Sequence, residues 1–280
     1  MNPKSIINLF SILVLLFSFS FIFPIVISIV FDDGALPIFL KTLISISLLG
    51  LTGLFLTRNI KNDLSQKDGF VIIVMFWIVL SLTGSVPFYL SGMSLIDSVF
   101  ESMSGITTTG ATVISSLDGL PESILFYRQL LQWMGGMGLI VLAIAVMPLL
   151  GIGGGQIYKT EVPGAMGEQR LTPRIKETAQ ALWLIYFGLT TVCGVLYYLN
   201  GMSAFDAISH AMSTVAIGGF STYNESIGFF NSISIELICI CFMLLSAFSF
   251  ALHYFAIYKR KPLKYAFDPE FRFFISFLFI

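Results

Sequence analysis

The hexapeptide GMSLID at residues 92–97 returns 109 residues later as GMSAFD at 201–206, and this repetition decides the fold of the 280-residue chain. At the same offset, Met103-Ser104 matches Met212-Ser213 and Gly110 matches Gly219. Self-similarity at one fixed spacing indicates a duplicated structural unit. We therefore predict one unit that occurs twice in the same orientation: a helix, a half-length helix, an extended loop and a closing helix.

The composition is that of a membrane protein. Hydrophobic residues make up 56% of the chain and charged residues only 11%, with a mean hydropathy of +0.89. A soluble domain carries about 25% charged residues, so this chain has too few charges to cover a water-facing surface. The net charge of −1 provides no basic field for nucleic acid, and three cysteines make no disulfide framework. We predict an all-α polytopic protein in a lipid bilayer.

Six apolar segments are long enough to cross a hydrocarbon core, which requires about 20 residues per helix. They are 6–31, 36–56, 70–91, 124–150, 178–199 and 232–257. With the N-terminus in the cytoplasm, the outer ends hold only Lys41 and Arg128 of the 15 Lys and Arg residues, a strong positive-inside bias. A last apolar run, Phe273 to Ile280, is shorter than half a span. We therefore expect the chain to be the front part of a longer protein.

Two further apolar segments, Leu95–Thr107 and Ala204–Val215, are too short to span. A helix of this length extends only about 20 Å. Both segments leave and return on the outer face in the predicted topology, and both are rich in Ser, Thr and Gly. Irregular backbone at membrane depth is tolerated only where protein surrounds it or where it lines a watery cavity. We therefore predict two re-entrant half-helices, each followed by an extended loop.

The loops that follow have the composition of a cation filter. They read TTTGAT at 107–112 and AIGGFS at 216–221, and the first is similar to the TVGYG filter of potassium channels. A dehydrated cation needs a ring of backbone carbonyls, and Gly permits the backbone that aligns them. Neither loop contains a carboxylate, so a tight divalent site is not indicated. The negative ends of the half-helices favour a cation.

Three stretches together are specific to one family: the two loops, RQLLQWMGGMG at 128–138, and the link YKTEVPG at 158–164 with LTPRIK at 171–176. The chain resembles the TrkH/KtrB superfamily of potassium-ion transporters. This resemblance implies four helix–pore-helix–helix repeats around one pore, of which this chain holds two. It also implies potassium selectivity, a bacterial inner membrane and a cytoplasmic nucleotide-binding ring (TrkA-like) as partner, with no cofactor.

The resemblance assigns domains and site residues to this chain. An accessory helix pair would occupy 1–60, the first pore repeat 70–150, a cytoplasmic link 151–177, the second pore repeat 178–258, and a link with the start of a third repeat 259–280. The stretches that match the family's ion-coordinating residues are Thr108, Thr109, Gly110 and Ala111, with Ile217, Gly218, Gly219 and Phe220. Potassium itself would bind at Thr108, Thr109, Ile217 and Gly218.

Several alternatives stay open at this point. Ala111 stands where potassium channels often have an aromatic residue, which leaves a sodium-tolerant transporter possible, and channel and symporter are not distinguished. Because four strands must surround one ion, either the chain is a fragment or two copies form a homodimer; a non-conducting scaffold is a further alternative. An intramembrane enzyme is disfavoured, since paired aspartates, an HExxH motif and a glycine-rich Ser–His pair are missing from the sequence.

Four ionisable residues are also notable. Asp97 and Asp206 occupy equivalent first turns of the half-helices, where a carboxylate caps the positive helix end. Glu101 and His210 are likewise equivalent, and we interpret them as helix-supporting or outer-vestibule groups. Glu236 lies inside an apolar span, where an acid usually faces a partner or a cavity.

Overall fold

A computed structural model of the chain describes residues 3–58, 66–138 and 175–278. Every regular element in these ranges is a helix. The predicted link at 151–177, up to residue 174, and the end of the predicted first repeat at 139–150 lie outside the described residues. The α-helices are Pro3–Ser18, Ile22–Phe31, Leu36–Thr57, Gln66–Gly84, Val86–Leu90, Leu95–Ile106, Glu122–Gly136, Ile175–Leu199, Ala204–Val215, Ile233–Ala247, Phe250–Ile257, Lys264–Phe267 and Pro269–Leu278.

Within the described ranges, three helices are long and apolar enough to cross a membrane: Lys4–Phe31, Leu36–Thr57 and Gln180–Leu199. The apolar helices Val74–Leu90 and Ile233–Ala247 are shorter. The surfaces of the long helices suit contact with lipid, because large apolar side chains such as Leu56 and Val30 are 79% and 69% exposed. These helices confirm the membrane-protein character that the composition predicts.

Two of the predicted spans depart locally from regular α-helix. The first span passes through a 3-10 turn at Phe19–Phe21, and the third has a turn at Ser85, where the backbone keeps right-handed helical angles. Pro24 and Pro87 follow these points by a few residues. A proline lacks the N–H that would bond to the carbonyl four residues earlier, and its ring clashes with that carbonyl. The chain nevertheless stays helical across Lys4–Phe31 and Val74–Leu90, within the predicted spans 6–31 and 70–91.

The predicted span 232–257 is also two helices rather than one. Phe248 adopts extended backbone (ψ 149°) between Ile233–Ala247 and Phe250–Ile257. The Nε2 atom of His253 lies 2.8 Å from the carbonyl oxygen of Leu245, and Nδ1 lies 2.6 Å from the Tyr265 hydroxyl. The imidazole thus hydrogen-bonds to the Leu245 carbonyl, which the amide of Ser249 would bond if the helix continued.

The two short helices form where the sequence predicts them, at Leu95–Ile106 and Ala204–Val215. Each starts with a serine cap: the hydroxyl of Ser94 accepts the amide of Asp97 at 3.1 Å and donates to its carboxylate at 2.7 Å. Ser203 and Asp206 repeat the arrangement at 3.0 and 2.7 Å. Serine is therefore the capping residue, and the aspartate is its reciprocal partner in the first turn, a variant of the capping box.

The helix Glu122–Gly136, which closes the first repeat, is central to the packing. Its Tyr127 is fully buried among the rings of Phe21, Phe39 and Phe88, with centroid distances of 5.7, 5.6 and 5.3 Å. The Tyr127 hydroxyl donates to the Gly84 carbonyl at 2.8 Å. One residue thus joins this helix to the N-terminal helix pair and to the helix that opens the first repeat.

The same helix also packs against the second repeat. The indole N–H of Trp133 donates to the Thr190 hydroxyl at 3.0 Å, and the Tyr186 hydroxyl donates to the Trp133 carbonyl at 3.0 Å. Gly136 allows this approach, because a Cβ there would lie 2.6 Å from the Tyr186 hydroxyl. The two repeats therefore share a packed interface along Glu122–Gly136.

Candidate functional site

The first loop (residues 107–121) begins with a helix ending of defined hydrogen bonds. The amide of Thr108 donates to the Gly105 carbonyl at 3.0 Å, and that of Thr109 donates to the Ser104 carbonyl at 2.9 Å. This pair of bonds forms a Schellman motif. The second loop (residues 216–225) begins in the same way, with Ile217 donating to Thr214 at 3.0 Å and Gly218 to Ser213 at 2.9 Å.

These bonds fix the direction of the first loop carbonyls. In a planar trans peptide unit the N–H and C=O point in opposite directions. Since the amides of Thr108 and Thr109 point back to the short helix, the carbonyls of Thr107 and Thr108 point away from it. The carbonyls of Ala216 and Ile217 do so in the second loop. Two successive carbonyl oxygens per loop are thus freed from the helix that precedes them.

The backbone of both loops is left-handed at alternate residues. In the first loop φ is 55° at Thr108 and 76° at Gly110; in the second it is 54° at Ile217 and 83° at Gly219. A Schellman ending normally places Gly in the left-handed position, whereas here a β-branched residue occupies it twice. Such a conformation costs on the order of 1–3 kcal/mol, and strain of this kind clusters at functional sites.

The two loops are in direct contact at their glycines. A Cβ added to Gly110 would collide with the carbonyl oxygen of Gly218, so only glycine allows this approach. Further along, Asn224 joins the loops: its carbonyl oxygen accepts the Leu117 amide at 2.8 Å and its amide donates to Asp118 at 2.8 Å.

A buried amide side chain holds the second loop from the first repeat. Gln132 is fully buried, and its Nε2 donates to the Gly218 carbonyl at 2.7 Å. Its Oε1 accepts the Phe220 amide at 3.1 Å and the Ser213 hydroxyl at 2.9 Å. One side chain therefore contacts the end of the second short helix and two residues of the loop.

A buried ion pair supports the first loop. Nε of Arg128 lies 2.8 Å from the Glu101 carboxylate, and the two side chains are 1% and 0% exposed. The carboxylate also accepts the Thr112 hydroxyl at 2.9 Å and the Val113 amide at 3.2 Å. A buried carboxylate needs hydrogen bonds to its remaining lone pairs, and Thr112 and Val113 provide them. Glu101 therefore supports the loop, whereas the sequence-based interpretation was a helix-supporting or outer-vestibule group.

Arg128 extends this network to the second loop. Its guanidinium donates to the Ser221 carbonyl at 3.2 Å and lies over the Phe220 ring, 4.2 Å from the centroid. A cation over an aromatic face is attracted by the ring quadrupole. The sequence topology counted Arg128 only as a cation at an outer helix end, and the structure shows that it is buried between the loops.

The second loop is also supported by side chains of its own repeat. Nε2 of His210 lies 2.9 Å from the Ser221 hydroxyl, and Nδ1 lies 2.9 Å from the Asp206 carbonyl oxygen. The carboxylate of Asp206 accepts the Thr222 hydroxyl at 2.9 Å and the Tyr223 hydroxyl at 3.1 Å. His210, like Glu101, braces the loop that follows its own helix. Glu236, by contrast, is exposed on the helix Ile233–Ala247.

The eight predicted site residues lie together at these two loops. Thr109, Ala111, Ile217 and Gly219 are exposed, Thr108 and Gly110 are half-buried, and Gly218 and Phe220 are buried. The Ala111 carbonyl accepts a hydrogen bond from Ser104, and that of Gly218 accepts one from Gln132. Sequence analysis missed Gln132 and the role of Arg128. The sequence did contain a signal for both: Arg128 and Gln132 are polar residues one helical turn apart inside a predicted span.

The oxygen atoms at the start of the two loops belong to the backbone rather than to a cluster of charged side chains. Among the residues that the structure describes, no group of three or more His, Cys, Asp or Glu side chains could hold a metal ion. The short helices end at the loops, so the negative ends of their dipoles lie there. Beyond the paired helix carbonyls, the loops present uncharged backbone oxygens.

Comparison with known proteins identifies the family. A family model described as "Cation transport protein" (TrkH) matches residues 35–279. The chain belongs to the TrkH family. Members of this family are transport proteins and not enzymes, and no cofactor is indicated.

The TrkH relatives include proteins of known structure. The chain is 50% identical to the "Trk system potassium uptake protein TrkH" of Halomonas elongata over 99% of its length, and 45% identical to that of Escherichia coli. The crystal structure of the potassium transporter TrkH from Vibrio parahaemolyticus superposes with a TM-score of 0.85 at 47% identity. It covers 99% of this chain and confirms the repeated helical fold. The chain spans 57–58% of the length of these relatives.

Proposed function

We propose that this chain is a membrane subunit of a potassium uptake system, and that its two loops are two strands of a filter through which potassium ions pass inward. The observation that supports this most directly is the alternation of left-handed residues at Thr108 and Gly110 and, 109 residues later, at Ile217 and Gly219. Alternating backbone of this kind turns successive carbonyls toward one side, as a dehydrated cation requires.

The proposed ligands are backbone oxygens. Potassium would bind at Thr108, Thr109, Ile217 and Gly218, within the wider filter stretches 108–111 and 217–220. The Gly218 carbonyl also accepts a hydrogen bond from Gln132, but a carbonyl oxygen has two lone pairs and one is left for a cation. The supporting side chains lie behind the loops and would hold them in place.

The wider organisation follows from the same proposal. Residues 1–60 would form an accessory helix pair, 70–150 and 178–258 two pore repeats, and 151–177 and 259–280 cytoplasmic links. The chain would lie in a bacterial inner membrane with its N-terminus in the cytoplasm. A homodimer and a cytoplasmic nucleotide-binding ring are its proposed partners; the curated relatives are named as parts of a "Trk system".

Two alternatives have specific support. The exposed Ala111 in place of an aromatic residue favours a looser ring and hence a sodium-tolerant transporter. The coverage of 58% of the Halomonas relative favours a chain that does not conduct by itself, because two strands cannot surround an ion.

Potassium-limited growth tests the proposal. Cells without potassium uptake of their own would express either the 280-residue chain or a chimera in which the chain is continued by the remaining part of the Halomonas relative. We expect the chimera to restore growth, and we expect Gly110→Ser and Gly219→Ser to reduce potassium uptake and its preference over sodium. Unchanged selectivity in both variants, at equal membrane expression, would contradict the filter assignment.

The same cells distinguish the alternatives. Uptake of potassium in the presence of competing sodium would reveal a sodium-tolerant transporter as a loss of discrimination in the wild-type chimera. Growth with the chimera but not with the chain alone would indicate that the chain contributes strands to a pore without forming one.

A further inference from the structure

Gln132 differs from the other supporting residues because it belongs to the first repeat, whereas its side chain hydrogen-bonds to the second repeat. Its donor and acceptor atoms are all engaged with the second repeat: Ser213, Gly218 and Phe220. The bond to the Phe220 amide and the bond to the Gly218 carbonyl lie on either side of Gly219. The side chain therefore holds the second loop by both a donor and an acceptor of its backbone.

The fit of this contact is close. A Cβ on Gly218 would collide with the Gln132 carboxamide, and one on Gly110 would collide with the Gly218 oxygen. Gly110, Gly218 and Gln132 are thus stacked in sequence, from the first loop through the second loop to the helix Glu122–Gly136. Because closely packed interiors deform little, we expect a change at Gln132 to alter the distance between the two loops.

The same helix provides an internal control. Gln129 is also 0% exposed and lies three residues before Gln132, but its side chain has no hydrogen-bond partner among the residues that the structure describes. Replacing a buried amide that makes no bond is neutral or stabilising, whereas releasing the partners of a bonded one is costly. The two glutamines therefore separate the effect of hydrogen bonding from the effect of burial.

We propose that Gln132 is a positioning residue that fixes the second loop against the first and so determines how well the filter discriminates potassium from sodium. This inference rests on the proposed function. Gln132 acts through the backbone of Gly218 and Phe220 and does not itself bind the ion. Without it, the Gly218 carbonyl and the Phe220 amide lose their common anchor, and the loop can follow the smaller sodium ion.

The test is backbone amide hydrogen exchange of the chimera, in which the remaining part of the Halomonas relative continues the chain, in lipid nanodiscs, in potassium chloride and in sodium chloride. The variants are Gln132→Met and, as matched control, Gln129→Met; methionine keeps the length of the side chain and removes its hydrogen bonds. We expect wild type and Gln129→Met to exchange more slowly at 217–220 in potassium than in sodium. Gln132→Met should exchange about five to ten times faster at Phe220, as expected for a lost bond of about 1–1.4 kcal/mol, and should lose the difference between the salts.

Each outcome decides the inference. Wild-type exchange at Phe220 in Gln132→Met, or equal acceleration in Gln129→Met, would overturn it. If wild type shows no difference between the salts, the proposed function and the selectivity role of Gln132 both fail, while the exchange at Phe220 still reports whether Gln132 holds the loop. If Gln132→Met accelerates exchange in Leu36–Thr57 as well, it has unfolded. Ser213→Ala, which releases one bond of Gln132, then replaces it, and unchanged exchange at Phe220 in that variant would count against the inference.

Discussion

The first and second loops follow the same backbone path, yet different side chains support them. Both begin with the same Schellman bonds and both are left-handed at two equivalent residues. Behind the first loop lies the charged pair Glu101 and Arg128; at the position equivalent to Glu101, the second has His210, bonded to a backbone carbonyl and a hydroxyl. The backbone geometry is thus duplicated, while the interactions that hold it have diverged.

The difference also has a direction. Arg128 and Gln132, both in the helix that closes the first repeat, reach the second loop. The first loop is bonded by its own repeat, through Glu101 and Ser104, and by Asn224 of the second loop. The second loop is held by helix residues of both repeats. Damage to the helix Glu122–Gly136 should therefore affect both loops directly.

The largest expected effect comes from the charged pair. Glu101→Gln leaves Arg128 buried without a countercharge, and breaking a buried pair in this way costs about 3–5 kcal/mol. His210→Gln replaces one neutral polar group by another and should cost about 1 kcal/mol or less. Thermal unfolding of the purified chain in detergent would compare the two variants.

The charged pair should also behave as a unit. The double variant Glu101→Leu with Arg128→Leu removes both charges, so we expect it to be more stable than either single variant. Equal losses for Glu101→Gln and His210→Gln would mean that the two supports are equivalent after all.

The second prediction separates the loops at their equivalent glycines. Alanine at either position must adopt a left-handed backbone, at a cost of about 1–2 kcal/mol. At Gly110 the added Cβ also meets the Gly218 carbonyl, whereas at Gly219 nothing lies within 4 Å. Gly110→Ala should therefore lower the unfolding temperature clearly more than Gly219→Ala does. Similar losses would show that the loops do not touch at this point.

Much of this fold could be predicted because it depends on local pattern. The hexapeptide repeat located both short helices, and the loop glycines are readable in the sequence. The caps were assigned to Asp97 and Asp206, whereas Ser94 and Ser203 are the capping residues. The side-chain network could not be predicted in the same way. Gln132 and Gly218 are 86 residues apart, and only the tertiary packing of Glu122–Gly136 brings them together. The interruption at Phe248 was missed because no proline marks it, and the His253 side chain that bonds the Leu245 carbonyl beside it lies eight residues further along the chain.

A third prediction concerns how each closing helix begins. The amide of Ser123 at the start of Glu122–Gly136 donates to the Asp33 carboxylate at 2.8 Å, whereas Ile233–Ala247 begins with no side-chain cap bond. Partial burial raises the pKa of Asp33, but hydrogen bonds from Ser123, Ser28 and Ala35 outweigh it and hold the pKa below its usual value. Asp33→Asn should cost about 0.5–2 kcal/mol at neutral pH.

The pH dependence of that loss follows from the lowered pKa. A carboxylate with a lowered pKa contributes its full stability above the unfolded value of about 3.9 and loses it as the pH falls through the folded value. The difference in unfolding temperature between wild type and Asp33→Asn should therefore shrink on acidification. A constant difference down to the acid limit would show that Asp33 contributes packing rather than charge.

The smallest expected effect is a gain in stability, and it tests the strained residues that the two loops share. Thr108 and Ile217 are β-branched residues with φ of 55° and 54°. Glycine would relieve a left-handed strain of about 1–2 kcal/mol, and part of that gain, about 0.4–1 kcal/mol, is lost to the greater freedom of the unfolded chain. Thr108→Gly and Ile217→Gly should therefore raise stability slightly, by up to about 1 kcal/mol. In the chimera, however, the same variants should lower the preference for potassium. The left-handed residue at the end of each short helix is proposed to fix the direction of the carbonyl that follows, and glycine would release it. A gain in stability with unchanged selectivity in both variants would show that the alternating backbone is not what holds the ion.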